Sequence, residues 1–165
     1  MADDTQETPD GDSERIFRHR NLPLLLLQAR ERVIANFRPA LNAAGVTEQQ
    51  WRIVRALLEK GPLEPRQIVT LCAISSPSLA GVLSRMDDLG LVRRVRLDHD
   101  QRRLRVSLTP KARALARRLA PQIETVYAGI EQRIGQRFTQ DFYRTLDELI
   151  ALLAEGEGPG EPESP

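Results

Sequence analysis

Six arginines stand between Leu91 and Arg105: Arg93, Arg94, Arg96, Arg102, Arg103 and Arg105. Only Asp98 and Asp100 oppose them, so the segment carries a local net charge of +4. A guanidinium keeps its charge at any physiological pH and offers a planar fork of donors that matches phosphate oxygens. At this density on one short segment, arginines suit contact with a polyanion. Just upstream, Ser75, Ser76 and Ser78 cluster where a helix is expected to begin, with Gln67 before them and Arg85 after. Hydroxyls and an amide so placed can reach base edges or phosphate, and a helix N-terminus favours an anion. Arg85 serves either a DNA contact or an intrahelical pair with Asp88.

These groups need elements to hold them, and the sequence supplies the signals. Pro65 to Cys72 reads as a short amphipathic helix with Ile68, Val69 and Leu71 apolar. A hinge, Ala73-Ile74-Ser75, follows, and Ser76-Pro77 then opens a second helix, a hydroxyl cap with proline at the first helical position. Leu79, Val82, Leu83, Met86 and Leu89 recur at three- and four-residue spacing, and Gly90 provides the stop. Two short helices on a tight turn predict a helix-turn-helix, whose second helix enters a major groove. Leu91 to Leu97 alternates apolar and basic residues, with a doubled position near its start. After the polar turn 98–102, the alternation resumes at Leu104, Val106 and Leu108. That predicts a β-hairpin with a charged tip beside the helix pair, a wing. The competing reading of the hairpin is a solvated basic surface.

The flanks are helical. Leu22 to Leu41 predicts a first helix with Leu22, Leu26, Ala29, Val33, Phe37 and Leu41 on one stripe; Pro39 marks a kink or a boundary, with one continuous helix as the alternative. Thr47 caps a second helix whose buried face is Trp51, Val54, Leu57 and Leu58, ended by Gly61-Pro62. From Pro110, with Thr109 as cap, apolar spacing runs from Ala112 through Ile123 and Ile134 to Phe138, bent at Pro121. A last helix is expected over Thr139 to Leu153. So long a seam exceeds what one small domain needs for itself, which points to a second subunit.

The fold class is therefore mainly α with a small β-wing. The expected order is a disordered acidic arm with a basic lead-in (1–20), a dimerisation helix (21–46), a winged helix-turn-helix (47–110), two further dimerisation helices (111–154) and a disordered acidic tail (155–165). Net charge over the 165 residues is only +1, but its distribution is uneven. Residues 1–14 hold six acids and residues 155–165 hold four, neither with any Lys or Arg. The body between holds 24 bases against 13 acids, or +11. Cys72 is the single cysteine, which excludes an intrachain disulfide and points to a reducing cytoplasm. The run Leu22 to Leu27 is too short to span a membrane, so no membrane partner is expected. His19, His99 and Cys72 are scattered, with no nucleophile set beside a base and no zinc-ligand spacing. Neither an enzyme nor any cofactor is expected.

The order helix-turn-helix, then LSRMDDLGLV, then DQRRLRVSLTPKA resembles the MarR family of bacterial transcriptional regulators, whose wing signature is matched by Asp100, Arg102, Leu108 and Thr109. LLQARE, FRPAL and TEQQWRIVR are similar to a subgroup that represses catabolism of homoprotocatechuate and related aromatic acids. The resemblance covers Pro23 to Leu153. It implies a homodimer on a double-stranded DNA operator, with Arg102 or Arg103 in the minor groove and Asp100 orienting Arg102. Contacts are expected from Gln67, Ser75, Ser76, Ser78, Arg85, Arg94 and Arg96 as well. Ala80-Gly81 stand where many members carry a polar or basic residue, which reduces direct base readout.

The resemblance also implies a small aromatic carboxylate effector of hydroxyphenylacetate, hydroxybenzoate or hydroxynicotinate type. Its expected contacts are Gln28, Arg30 and Arg32 on the first helix, with Phe37, Trp51 and Arg55. A ring wants an apolar wall and a carboxylate wants a guanidinium fork. Against this, Trp51 also reads as a plain core residue, and Arg30 as a partner of Glu31 or Glu48. Two rival functions stay open: a thiol-based redox sensor through Cys72, and a dimeric interaction module that does not bind DNA.

Overall fold

The computed structural model describes residues 17–97 and 100–154, with the backbone alone described at 97 and 100–103. The acidic arm, the acidic tail and the turn residues Asp98 and His99 lie outside the described residues. So do the side chains of Asp100, Arg102 and Arg103. The chain divides into two compact units, 1–35 and 36–165. In the first, the opening turns of α1 (Leu22–Ala43) start where the Asn21 side chain accepts from the Leu24 amide at 3.0 Å. Leu22, Leu24, Leu25, Leu26, Leu27 and Val33 are all exposed there. The helix continues through Pro39, so the continuous alternative holds. The stripe expected to be buried along its whole length is buried only at Phe37 and Leu41, in the second unit.

The second unit carries the core. α2 (Glu48–Lys60) opens on a capping box: the Gln50 amide donates to Thr47 Oγ1 at 3.2 Å, and the Thr47 amide donates to Gln50 Oε1 at 3.0 Å. That reciprocal pair lets Gln50 sit buried without an unmet polar group. Trp51, Ile53, Val54 and Leu57 face inward, whereas Leu58, expected inside, is exposed. α3 (Pro65–Cys72) and α4 (Ser76–Asp88) meet at 109°, within the ~90–120° of a helix-turn-helix. The turn is made possible by Ala73, the one non-glycine with a positive φ among the described residues (46°). A left-handed alanine costs roughly 1–2 kcal/mol. Ile74, buried behind it, anchors the turn against that cost.

The wing is the antiparallel pair β1 (Val92–Leu97) and β2 (Asp100–Leu108). Pairing is regular from Val92↔Leu108 to Arg96↔Leu104 and shifts between Arg96 and Leu97. The irregularity expected near the start of β1 therefore lies at its far end. β2 also begins earlier than the polar stretch 98–102 suggested, because backbone pairing does not require apolar side chains. Leu63 adds a bridge the sequence reading missed, exchanging hydrogen bonds with Val106 at 3.0 and 2.8 Å. α5 (Pro110–Ile134) passes unbroken through Pro121 and stops at Gly135, whose φ of 88° is left-handed territory. α6 (Gln136–Ala154) begins there, three residues before the expected start. Phe138 thus belongs to α6, and Thr139, the expected first residue of that helix, lies inside it and back-bonds to the Gly135 carbonyl.

Thr109 joins these parts. Its Oγ1 accepts from the Ala112 amide at 3.2 Å, capping α5, and donates to the Gly90 carbonyl at 2.6 Å. Thr109→Val keeps the shape and removes both bonds, so urea unfolding should show a loss of about 1–2 kcal/mol, with Thr109→Ser recovering most of it. An unchanged unfolding midpoint for Thr109→Val would contradict the role assigned to this hydroxyl.

Candidate nucleic-acid interface

α4 presents a two-sided sequence to its surroundings. Leu79, Val82, Leu83 and Met86 are buried, while Ser76, Ser78, Ala80, Ser84 and Arg85 are exposed. That exposed face is free of large apolar side chains, and its N-terminal turn projects amides and hydroxyls. Ser75 is the N-cap: the Ser78 amide donates to its Oγ at 3.4 Å, and the two hydroxyls lie 2.8 Å apart. The capping job ties Ser75 to the helix, leaving Ser76 and Ser78 as the outward hydroxyls of that turn. Gln67 is exposed on α3, but its Oε1 accepts from the Glu64 amide at 2.8 Å, so its amide nitrogen is the end available to a ligand. Arg85 folds back along α4 towards Gly81, where a Cβ would stand 3.6 Å from its Nη1. The guanidinium therefore lies along the exposed face, nearer the N-terminal turn than its position in sequence suggests.

The wing arginines do not form a single row. Strand alternation puts Arg94 and Arg96 on the face shared with buried Val92, Val106 and Leu108, and Arg93 and Arg105 on the opposite one. Arg94 Nε lies 3.9 Å from Asp87 on α4, a loose and half-exposed pair that ties the wing to the recognition helix. Such a pair is worth little in stability, but it holds Arg94 on the α4 side of the wing. Arg96 is exposed farther along the same face. Asp100, Arg102 and Arg103 lie on β2, with their side chains outside what is described. In the sequence the six arginines read as one basic segment, and such a run carries no signal for which face each one takes.

The six residues named for an effector are less uniform. Gln28 and Arg32 border a shallow recess on α1 with Leu27, Glu31 and Ala35. Arg30 and Arg32 are exposed, and neither is without a polar partner. In the second unit, Phe37 packs edge-on against Tyr127 of α5, ring centroids 4.8 Å apart. Trp51 is only 8% exposed, so it is a core residue of the subunit. Arg55, one turn beyond it, makes a forked contact with Glu59 at 2.8 and 3.2 Å. Tyr127 was missed by sequence reasoning, since it falls between the apolar positions of α5. Burial pushes its phenol pKa up, Arg55 pulls it down, and Tyr143, Glu124 and Glu59 push it up again. At neutral pH Tyr127 thus keeps its proton and stands as a donor beside a cation, with an aromatic edge behind it. Phe37, Arg55 and Tyr127 make a cluster able to hold a ring and an acid.

Cys72 lies 1% exposed on α3, its Sγ 3.8 Å from the Arg52 carbonyl, while Arg52 donates back to the Cys72 carbonyl. Burial raises the thiol pKa, and the Arg52 guanidinium only partly counters this. A reactive sensor thiol needs the reverse, a depressed pKa and access to solvent. Among the described residues, no three histidine, cysteine or carboxylate side chains come together as a metal site. Among the described residues, no single helix is long and apolar enough to cross a membrane.

Residues 44–103 match the family model described as MarR family. Over 134 residues the chain is 42% identical to the homoprotocatechuate degradative operon repressor of Escherichia coli, an alignment covering 81% of this chain and 90% of that one. It resembles the structure of NadR in complex with 4-hydroxyphenylacetate, with a TM-score of 0.72 and 36% identity, covering 84% of this chain and 95% of that one. It also resembles the repressor CouR bound to a 23-mer DNA duplex, with a TM-score of 0.63 and 25% identity over 81% and 92% of the two chains.

The raised thiol pKa of Cys72 has a definite sign. Because the folded value lies above the unfolded one, this group's contribution to stability is complete below the ordinary thiol range and is lost as pH rises through the raised value. At neutral pH a disulfide reagent should modify the native chain at least about ten-fold more slowly than the urea-unfolded chain. Equal rates would return Cys72 to the list of sensor thiols.

Proposed function

We infer an operator-binding repressor from one premise: the chain belongs to the MarR family of transcriptional regulators, which bind DNA as dimers and are not enzymes. The observation that carries the reading to this chain is the pairing of α3 and α4 at 109° with an exposed, small-residue face on α4. Such a face admits close approach to base edges, and the amides of its first turn favour phosphate. We assign Gln67, Ser76, Ser78 and Arg85 to the major groove and its phosphates, with Ser75 ordering the turn. Arg94 and Arg96 flank them from the wing. Arg102 or Arg103 reaches the minor groove, with Asp100 orienting Arg102; here the support is the match of Asp100, Arg102, Leu108 and Thr109 to the wing signature. Because Ala80 and Gly81 cannot hydrogen-bond to bases through side chains, specificity leans on the serines and on duplex shape read by the wing.

A homodimer follows from unpartnered apolar surface. α6 buries no residue against its own subunit, yet exposes Phe138, Phe142, Tyr143, Ile150, Leu152 and Leu153. Exposed leucines on α1 and Ile134 on α5 add to this. Exposed apolar surface on such a scale belongs to an interface, and pairing of α1, α5 and α6 with their copies covers it. Two recognition helices then stand about one duplex turn apart, ~34 Å, on a pseudo-palindrome.

The regulated genes are those of an aromatic-acid catabolic operon, repressed in the cytoplasm and released by a small aromatic carboxylate. The relatives support this class: one represses the homoprotocatechuate degradative operon, and NadR is seen with 4-hydroxyphenylacetate. In this chain Arg55 exchanges Glu59 for the ligand carboxylate, Tyr127 donates, and Phe37 backs the ring. For Gln28, Arg30, Arg32 and Trp51 the support is the resemblance alone. The effector favours a dimer whose helix spacing mismatches the operator, and a coupling of ~1–3 kcal/mol weakens binding from several-fold to about a hundredfold. Cys72, buried with a raised pKa, does not favour a redox-sensing mechanism.

Two variants test the two halves. Arg102→Ala should weaken operator binding by about ten-fold and lower its salt dependence while leaving the unfolding curve in place; unchanged affinity in a mobility shift would refute the wing assignment. Arg55→Ala should keep operator affinity but lose release by a panel of hydroxyphenylacetates, hydroxybenzoates and hydroxynicotinates. Full release by the same ligand at the same concentration would remove Arg55 from the effector site.

A further inference from the structure

The wing has a second basic surface that the recognition helix does not face. Arg93 and Arg105 lie on the side of the hairpin opposite Arg94, and Arg94 is the one turned towards α4 through Asp87. Arg113, exposed one turn into α5, joins them around a recess of about 430 Å³. Pro62, Val95 and Pro110 give it an apolar lining, and Arg93 donates to Ser107 across its rim at 3.3 Å. Three guanidinium groups around an apolar floor form a site for an extended anionic segment: the arginines take carboxylates, and the prolines and valine take the stems between them.

The chain itself carries such a segment. Residues 155–165 alternate Glu155, Glu157, Glu161 and Glu163 with glycine and proline, and contain no cation to neutralise them. Eleven residues of chain can reach at most about 37 Å. We propose that the acidic tail 155–165 docks in the arginine recess formed by Arg93, Arg105 and Arg113, acting as a built-in polyanion. The docking stands on charge and shape at the recess. Its consequence, that the tail lowers affinity for non-cognate duplex by screening the wing, rests on the operator-binding reading above.

The test separates the two. A fluorescein-labelled peptide of residues 155–165 is titrated, without DNA, against the chain lacking that tail, and anisotropy is followed as salt increases. Docking predicts saturable binding that weakens with salt, falls on the order of ten-fold or more in Arg105→Glu/Arg113→Glu, and is much weaker for a peptide of residues 1–14. No binding, binding unchanged in the double variant, or equal binding of the 1–14 peptide would each overturn the proposal. The double variant is first checked for an unaltered unfolding curve; if it fails to fold, the peptide with its four glutamates changed to glutamine replaces it, and equal binding of that peptide overturns the docking. In a parallel mobility shift on random-sequence duplex, removal of the tail should raise affinity several-fold at low salt. Docking without that rise would leave the recess occupied and sink only its consequence for duplex binding.

Discussion

The point at which the recognition helix, both wing strands and the long helix α5 are tied together spans only a few residues. Leu91 donates to the Met86 carbonyl at 2.8 Å, Thr109 donates from its amide to Leu91 at 3.1 Å, and its hydroxyl donates to Gly90 at 2.6 Å. Lys111 reaches the Leu89 carbonyl at 2.6 Å. The last carbonyls of α4 are satisfied by the amides of Leu89, Gly90 and Leu91 just beyond it, and the carbonyls of those same three residues are taken up by Thr109 and Lys111 at the start of α5. Gly90 makes the exit possible through a φ of 67°. Neither helix can pivot far without breaking these bonds, so the direction of α5 and the direction of α4 are one mechanical quantity.

The rest of the molecule makes use of that coupling. The first half of α5 is core, with Ala112, Leu115, Ala116, Leu119 and Ile123 buried. Beyond Ile123 the helix emerges: Ile134 is exposed, and no residue of α6 is buried. One helix therefore begins inside the DNA-binding body and ends on apolar surface suited to another subunit. Tyr127 lies at the transition, against Phe37 and near Arg55. A ligand that rearranged this cluster would act on α5 where core gives way to scaffold, and the tie at Thr109 would carry the change to α4. This is a coupling through packed, discrete contacts, the kind that can favour two arrangements differing by a few kcal/mol.

Much of this was legible in the residues. Pro77 and Gly90 bracket α4 because caps and stops act locally, although the capping hydroxyl is that of Ser75 and not, as expected, that of Ser76; Thr47 and Thr109 mark α2 and α5 for the same reason. What escaped notice was non-local or out of phase. A single bridge at Leu63 has no periodicity to detect. The break at Gly135 is hidden because Ile134 and Phe138 preserve four-residue spacing across it, so one glycine outweighs a pattern that runs on either side. The arginines of the wing were read as a set, yet the pleat divides them, and Arg94 finds an acid on α4 that no local rule predicts. Trp51 and Tyr127 show the same limit for the effector: aromatic type suggests a wall, but only the packing tells that one is buried in the core and the other stands half-open beside a guanidinium.

The central claim is that a paired helical scaffold holds two copies of α4 at the pitch of duplex DNA. Asp88 is exposed at the C-terminal end of α4, away from the serines of its first turn, and buried Cys72 is shielded from labelling, so a spin label at Asp88→Cys reports the separation of the two recognition helices by pulsed dipolar spectroscopy. With operator duplex bound, a single narrow distance near 34 Å is predicted, shifting when a releasing aromatic acid is added. The absence of any inter-subunit distance on the operator, or a separation incompatible with one duplex turn, would contradict it.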